Sequence, residues 1–217
     1  MNLAWEKNRL AHVEHYSESV DQLGHTIGAV GWGSPESQQI RFQVLTEIGM
    51  YPGASVLDIG CGMGDLYDYL DRHFHVGEGY LGIDITPRMV EAAKARYPAG
   101  RFIADDILNP RTSIPRADFV LASGIFALLK LDLDPYRIMT DLIVAMFNLC
   151  KEGLAFNSLS SWTSHPEPDK FFVDPEKALR ICREMTQWVT LRHDYLPHDF
   201  TVYMYRGQKR TSSLELQ

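Results

Sequence analysis

Two hydrophobic periods alternate along this chain. Short apolar runs occupy residues 55–59, 80–83, 101–104, 117–122 and 153–159. Between them, residues 65–73, 87–97 and 134–150 carry apolar positions at helical spacing. Short continuous runs bounded by glycine and acidic residues read as buried strands, and the longer periodic stretches read as helices. Strands that alternate with helices predict a mostly parallel sheet with helices on both faces. The end of the chain breaks this rhythm. Residues 175–185 read as a helix, while 188–193 and 200–205 read as two strands joined by a short proline-containing loop. With no helix between them, these two strands predict an antiparallel pair.

The first fifty residues follow another pattern. Residues 3–20 form a mixed helix with Trp5, Leu10, Val13, Tyr16 and Val20 as apolar points. A connection containing Gly24, Gly28, Gly31 and Gly33 follows, with Trp32 as its one large aromatic. A flexible loop around a bulky side chain is a candidate lid. Ser34-Pro35 then opens a second helix with Ile40, Val44, Leu45 and Ile48 on one face. A capping side chain followed by proline recurs at Thr86-Pro87, Asp134-Pro135 and Asp174-Pro175, which sets four helix starts.

At 217 residues and 45% hydrophobic, the chain suits one α/β domain with elaborations. A net charge of −7, with no basic stretch that stands out, argues against a nucleic-acid partner. No run of about 18 apolar residues offers a membrane span. The N-terminus lacks the basic-then-apolar layout of a signal peptide. Cys61, Cys150 and Cys182 are scattered and odd in number, which predicts no disulfide framework or metal site and points to a reducing cytoplasm.

Ligands of open α/β sheets bind at the carboxyl ends of the strands, so the residues there are the ones to inspect. The first strand ends in Asp58-Ile59-Gly60-Cys61-Gly62-Met63-Gly64, the second in Asp84-Ile85, the third in Asp105-Asp106-Ile107, and the fourth in Ser123-Gly124. The glycine spacing departs from the dinucleotide fingerprint, in which the third glycine stands one position later. Asp58 followed by Gly60, Gly62 and Gly64, with acids at the next two strand ends, resembles the class I S-adenosylmethionine-dependent methyltransferases. The resemblance runs across about residues 55–159.

That resemblance implies a Rossmann-like α/β fold: a mostly parallel seven-stranded sheet with its last strand antiparallel, here carrying an N-terminal helical extension. It implies S-adenosylmethionine as cofactor. The loop from Asp58 through Gly60, Cys61, Gly62 and Gly64 wraps its methionine end, and Asp84 beside Ile85 takes the ribose hydroxyls. Asp106, or its neighbour Asp105, takes the adenine amino group beside the Ile107 amide. Thr86 is the better cap for the following helix and leaves Asp84 free. Ser123 stands where sulfonium and acceptor meet. Trp32 and Arg41 are further cofactor candidates, Arg41 as a clamp on the methionine carboxylate. The Asn/Asp-Pro-Pro-aromatic motif of relatives that methylate nucleic-acid amino groups is absent after Ser123.

Expected domain bounds are residues 1–50 for a helical lid, 51–207 for the cofactor-binding core and 208–217 for a frayed tail. The expected reaction is methyl transfer to a small-molecule acceptor. The alternative is cleavage or cyclisation of the cofactor with release of methylthioadenosine. Methyl transfer needs a general base only when the acceptor must lose a proton. The candidate catalytic residues are Tyr16, Asn157, His193 and Tyr195. His12, His15, Ser158, Asp194, His198 and Asp199 lie in the same edge segments. No metal is expected, because His193 and His198 lack a ligating spacing and flank Pro197.

Overall fold

The computed structural model describes residues 3–24, 26–30, 33–128 and 133–208. Its helices are α1 (Leu3–Leu23), α2 (Pro35–Thr46), α3 (Asp65–Phe74), α4 (Pro87–Arg96), α5 (Pro135–Leu149) and α6 (Pro175–Arg183). Its strands are β1 (Val56–Ile59), β2 (Tyr80–Asp84), β3 (Phe102–Ala104), β4 (Ala117–Ala122), β5 (Cys150–Leu159), β6 (Val189–Arg192) and β7 (Asp199–Tyr205). They form a single sheet in the order β3-β2-β1-β4-β5-β7-β6. Pairing is parallel from β3 through β5, and β7 runs antiparallel to both its neighbours. The chain thus has the mostly parallel seven-stranded sheet expected above.

Alternation along each strand explains the two apolar layers. Val56, Tyr80, Phe119, Ala155 and Tyr203 point to one face and pack with α2, α3 and α4. Their chain neighbours Leu57, Leu81, Val120, Leu154 and Val202 point to the other and pack with α5 and α6. Both faces are covered, so the strands read as unbroken apolar runs. Three of the four predicted caps form: Ser34, Asp134 and Asp174 accept backbone N–H groups in the first turns of α2, α5 and α6. Thr86 stands at the cap of α4 without a side-chain bond. β5 begins three residues before the apolar run suggested, because Cys150 pairs with Ala117 ahead of an irregularity in the ladder.

Strand order reverses between β1 and β4, which opens a crevice at the carboxyl ends of the strands. α1 lies beyond the sheet, packed on α4 and on the short 3-10 turn at Ile27–Val30. Ser19 donates to the Ala29 carbonyl and ties that turn back to α1. Trp32 and the tail from residue 209 lie outside the described residues. No helix among the described residues is long and apolar enough to cross a membrane.

Candidate active site

A cavity of about 650 Å³ fills the crevice. Its floor is the strand ends, and α1 forms its outer wall. The size lies within the range of sites that enclose small ligands.

The glycine loop turns at Gly60 (φ 74°) and Gly62 (φ 52°), a left-handed backbone that side chains resist. A Cβ on Gly60 would stand 2.4 Å from the Ile125 side chain, so this position admits only glycine. Both residues line the cavity, together with Asp58 and Cys61. Gly64 does not. Its φ of 83° starts α3, and a Cβ there would meet Tyr97 at 2.9 Å and Phe102 at 3.0 Å. The third glycine lets helix and strand approach each other, which corrects its placement at the cofactor.

Asp58 is buried and accepts from the Tyr80 hydroxyl at 2.7 Å. Burial pushes its carboxyl up to about 7, against the opposing effect of that hydrogen bond. The Cys61 thiol is likewise driven up by burial and stays protonated. Asp84 holds two loops together: Gly62 N–H donates to Oδ2 at 2.9 Å, and Thr86 N–H donates to Oδ1 at 2.8 Å. It is therefore not left free by Thr86, as the cap reading had it. Asp84 lines the cavity, and each of its oxygens keeps a further lone pair with which to accept from a ligand. Burial raises the Asp84 carboxyl, and the two amides together with the Thr86 side chain pull it back. Ile85 and Thr86 line the wall beside it, and the Thr86 side chain is buried against Asp84.

At the end of β3, Asp105 Oδ1 accepts from Asp106 N–H and from the Thr112 hydroxyl. Asp106 faces α1 instead: the Trp5 indole N–H donates to Oδ2 at 2.7 Å, and Leu108 N–H donates to Oδ1. Asp105, Asp106 and Ile107 all line the cavity. At the other end, Asn157 accepts from Gly124 N–H at 2.8 Å and donates to the Ser123 hydroxyl at 3.1 Å. It sets the loop after β4, and both Ser123 and Asn157 line the cavity.

The remaining predicted residues divide. Tyr16 lines the cavity, and burial, with the Asp84 charge behind it, pushes its phenol up to about 12. It can donate a hydrogen bond there but cannot act as a base near neutrality. Arg41 lines the cavity in a buried ion pair with Asp199, and donates to His198 Nε2 at 3.3 Å. What the cavity meets is therefore an ion pair and not a lone cation. His193 and Tyr195 are not brought to it. His193 bonds the Ser160 hydroxyl and stacks on Phe200, and Tyr195 bonds the Thr201 hydroxyl. The hairpin loop packs these two side chains against β7 and the segment that follows β5.

On α1 the sequence pointed to Tyr16, with His12 and His15 beside it, but it missed Asn8 and read Trp5 only as an apolar point. Trp5, Asn8, His12, His15 and Tyr16 line the cavity at helical spacing, whereas Leu10 is 54% exposed. A mixed aromatic and polar stripe at positions i, i+3, i+7 and i+11 was the available signal. The segment at Glu167, Asp169 and Lys170 was missed too and also lines the cavity.

A left-handed glycine cradle, carboxylates at two strand ends and buried hydroxyl and amide groups without partners fit a cofactor with an adenosine and an amino-acid end. Comparison with known proteins agrees. The family described as a methyltransferase domain matches residues 56–152. The protein Rv1506c of Mycobacterium tuberculosis (strain ATCC 25618 / H37Rv), which bears a provisional methyltransferase name, is 38% identical over 159 residues. That alignment covers 70% of this chain and 93% of the relative. Magnesium protoporphyrin IX methyltransferase (ChlM) from Synechocystis PCC 6803 with bound SAM superimposes with a TM-score of 0.64 at 14% identity, covering 92% of this chain and 97% of that one. The plantazolicin methyltransferase BpumL, in complex with a monoazolic desmethylPZN analog and SAH, superimposes with a TM-score of 0.67 at 13% identity, covering 95% and 100%. At such identities the two structures speak for the fold alone.

Proposed function

The chain belongs to the class I S-adenosylmethionine-dependent methyltransferases, and on that footing we propose that it methylates a small organic molecule held in the same cavity as the cofactor. The observation that carries this reading is the continuity of the site: one concave cavity of about 650 Å³ joins the glycine loop to the ends of β5 and β7, with α1 along one side. The net charge of −7 also argues against a nucleic-acid acceptor.

S-adenosylmethionine supplies the methyl group on a sulfonium that carries its own leaving group. The work left to the protein is to bind, orient and exclude water. In this reading Asp58, Gly60, Cys61 and Gly62 hold the amino-acid end. Asp84 with Ile85 holds the ribose, and Asp105, Asp106 and Ile107 hold the adenine. Asn157 positions Ser123 and Gly124 where cofactor and acceptor meet. Ser158, whose buried hydroxyl has no partner and lines the cavity, is the first candidate to bond the acceptor. Tyr16 donates from α1. The helical lid at residues 1–50 is part of this proposal, since α1 must admit ligands past Trp5. Three buried free thiols support a reducing compartment such as the cytoplasm.

The test is transfer of a labelled methyl group from S-adenosylmethionine into a cell extract by the purified protein, followed by separation into small-molecule and macromolecular fractions. Label in the small-molecule fraction, with S-adenosylhomocysteine formed in step, is the expected result. Label confined to protein or nucleic acid would sink the proposal, as would methylthioadenosine in place of S-adenosylhomocysteine.

A further inference from the structure

Asn8 has a side chain that the protein itself does not use. It is 0% exposed, and neither Oδ1 nor Nδ2 has a hydrogen-bond partner, yet it lines the cavity. A buried carboxamide with both ends unpaired is costly, so such a group is a candidate for meeting a ligand.

Its neighbours on α1 say which part of the cavity it meets. Trp5, one turn earlier on the same face, donates to Asp106 at the end of β3. Tyr16, about two turns later, feels the charge of Asp84 at the end of β2. A rise of about 1.5 Å per residue puts Asn8 about 4.5 Å along the helix from Trp5 and about 12 Å from Tyr16. Asn8 therefore stands over the stretch between the two carboxylates and nearer to Asp106. Ser123 and Asn157, where the acceptor is expected, belong to the far side of the crevice, at the ends of β4 and β5.

We propose that Asn8 reads the adenine ring of the cofactor, with Nδ2 donating to N7 and Oδ1 accepting from the N6 amino group. Adenine presents an acceptor at N7 beside a donor at N6, and a carboxamide offers the complementary pair on two adjacent atoms. Asparagine recognises adenine bidentately through this same edge in nucleic acids. The opposite edge is left to the Asp106 carboxylate and the Ile107 amide. α1 then supplies a specificity-determining residue as well as a wall. The inference rests on the cofactor lying in this cavity and makes no use of the acceptor.

Binding calorimetry tests it with two ligands: S-adenosylhomocysteine and its 7-deaza analogue, in which N7 is replaced by CH. The analogue removes only the atom that Nδ2 would meet and leaves N6 in place. The wild-type protein is expected to bind the analogue about tenfold more weakly, the usual effect of one lost buried hydrogen bond. Asn8→Ala should bind S-adenosylhomocysteine about tenfold more weakly than wild type and distinguish the two ligands no longer. Asn8→Asp turns an acceptor toward N7 and should prefer the analogue. A merely structural role would weaken both ligands alike and keep the wild-type preference. Equal binding of the two ligands by wild type overturns the proposal, as does an unchanged preference in Asn8→Ala. If Asn8→Ala fails to fold, the wild-type ratio and Asn8→Asp decide. Failure of wild type to bind either ligand would overturn the cofactor premise itself, a result distinct from binding without preference.

Discussion

Asp58→Asn should make the ligand-free protein more stable, although it removes a residue from the centre of the site. Asp58 is 1% exposed, and its carboxyl titrates near 7 in the fold against a reference of 3.8. That gap corresponds to about 4 kcal/mol of penalty on the ionised form. The sign follows from the raised value: the favourable contribution is complete below about pH 3.8 and is lost as the pH climbs through about 7. Above that, wild type carries a buried charge that, among the described residues, the Tyr80 hydroxyl supports at 2.7 Å. Asparagine keeps the shape and the acceptor for Tyr80 but carries no charge. Its new N–H₂ must find a partner, which offsets about 1–3 kcal/mol of the gain. The expected net is about 1–3 kcal/mol of added stability at about pH 8, fading toward acid. Urea unfolding of both proteins across the pH range measures it. Asp199 is also raised by burial and cancels in the difference between the two proteins, which is the quantity to follow, whereas Asp84, whose charge helps to raise Asp58, cancels only in part. A difference independent of pH would refute the reasoning. So would an asparagine variant less stable than wild type on the alkaline side. The same charge lines a cavity that takes a sulfonium cofactor, so the variant should lose more affinity for S-adenosylmethionine than for S-adenosylhomocysteine, whose sulfur is neutral.

Asp84→Ala removes the acceptor of both the Gly62 and the Thr86 amides, and cofactor affinity in calorimetry should fall by about 1–3 kcal/mol; unchanged affinity would remove Asp84 from the site. Gly64→Ala forces a side chain into φ 83° and against Tyr97 and Phe102. Its thermal stability should drop by about 1–3 kcal/mol while cofactor affinity is nearly kept, and the reverse pattern would return Gly64 to the cofactor loop. Arg41→Met leaves Asp199 buried without its ion pair. Unfolding free energy should fall by about 3–5 kcal/mol near neutral pH, with the loss shrinking in acid as Asp199 takes up a proton. Equal losses at both pH values would show that packing, not charge, holds Arg41.

What the sequence made legible was what the chain does to itself at short range. β1, β2 and β4 could be read because residues on both faces are buried, and α2, α5 and α6 could be bounded because Ser34, Asp134 and Asp174 cap their own first turns. Asp84, Asp106 and Ser123 could be named because strand ends in such a sheet converge on one crevice. The misplacements share a cause. Arg41 was read as a free clamp because its partner Asp199 lies 158 positions away, beyond any local pattern. His193 and Tyr195 were read as site residues because loop position says nothing about which way a side chain turns. α1 is the clearest case. Tyr16 and His12 on its cavity face could be named as candidates, but Asn8 was passed over and Trp5 was read as apolar packing, because the helix was judged as a face that meets a core. A helix that meets a ligand must carry the complement of the ligand, and the complement of adenosine is partly polar. Asn8 is a poor core residue and a good adenine reader for one and the same reason: both atoms of its carboxamide are left without a partner inside the protein.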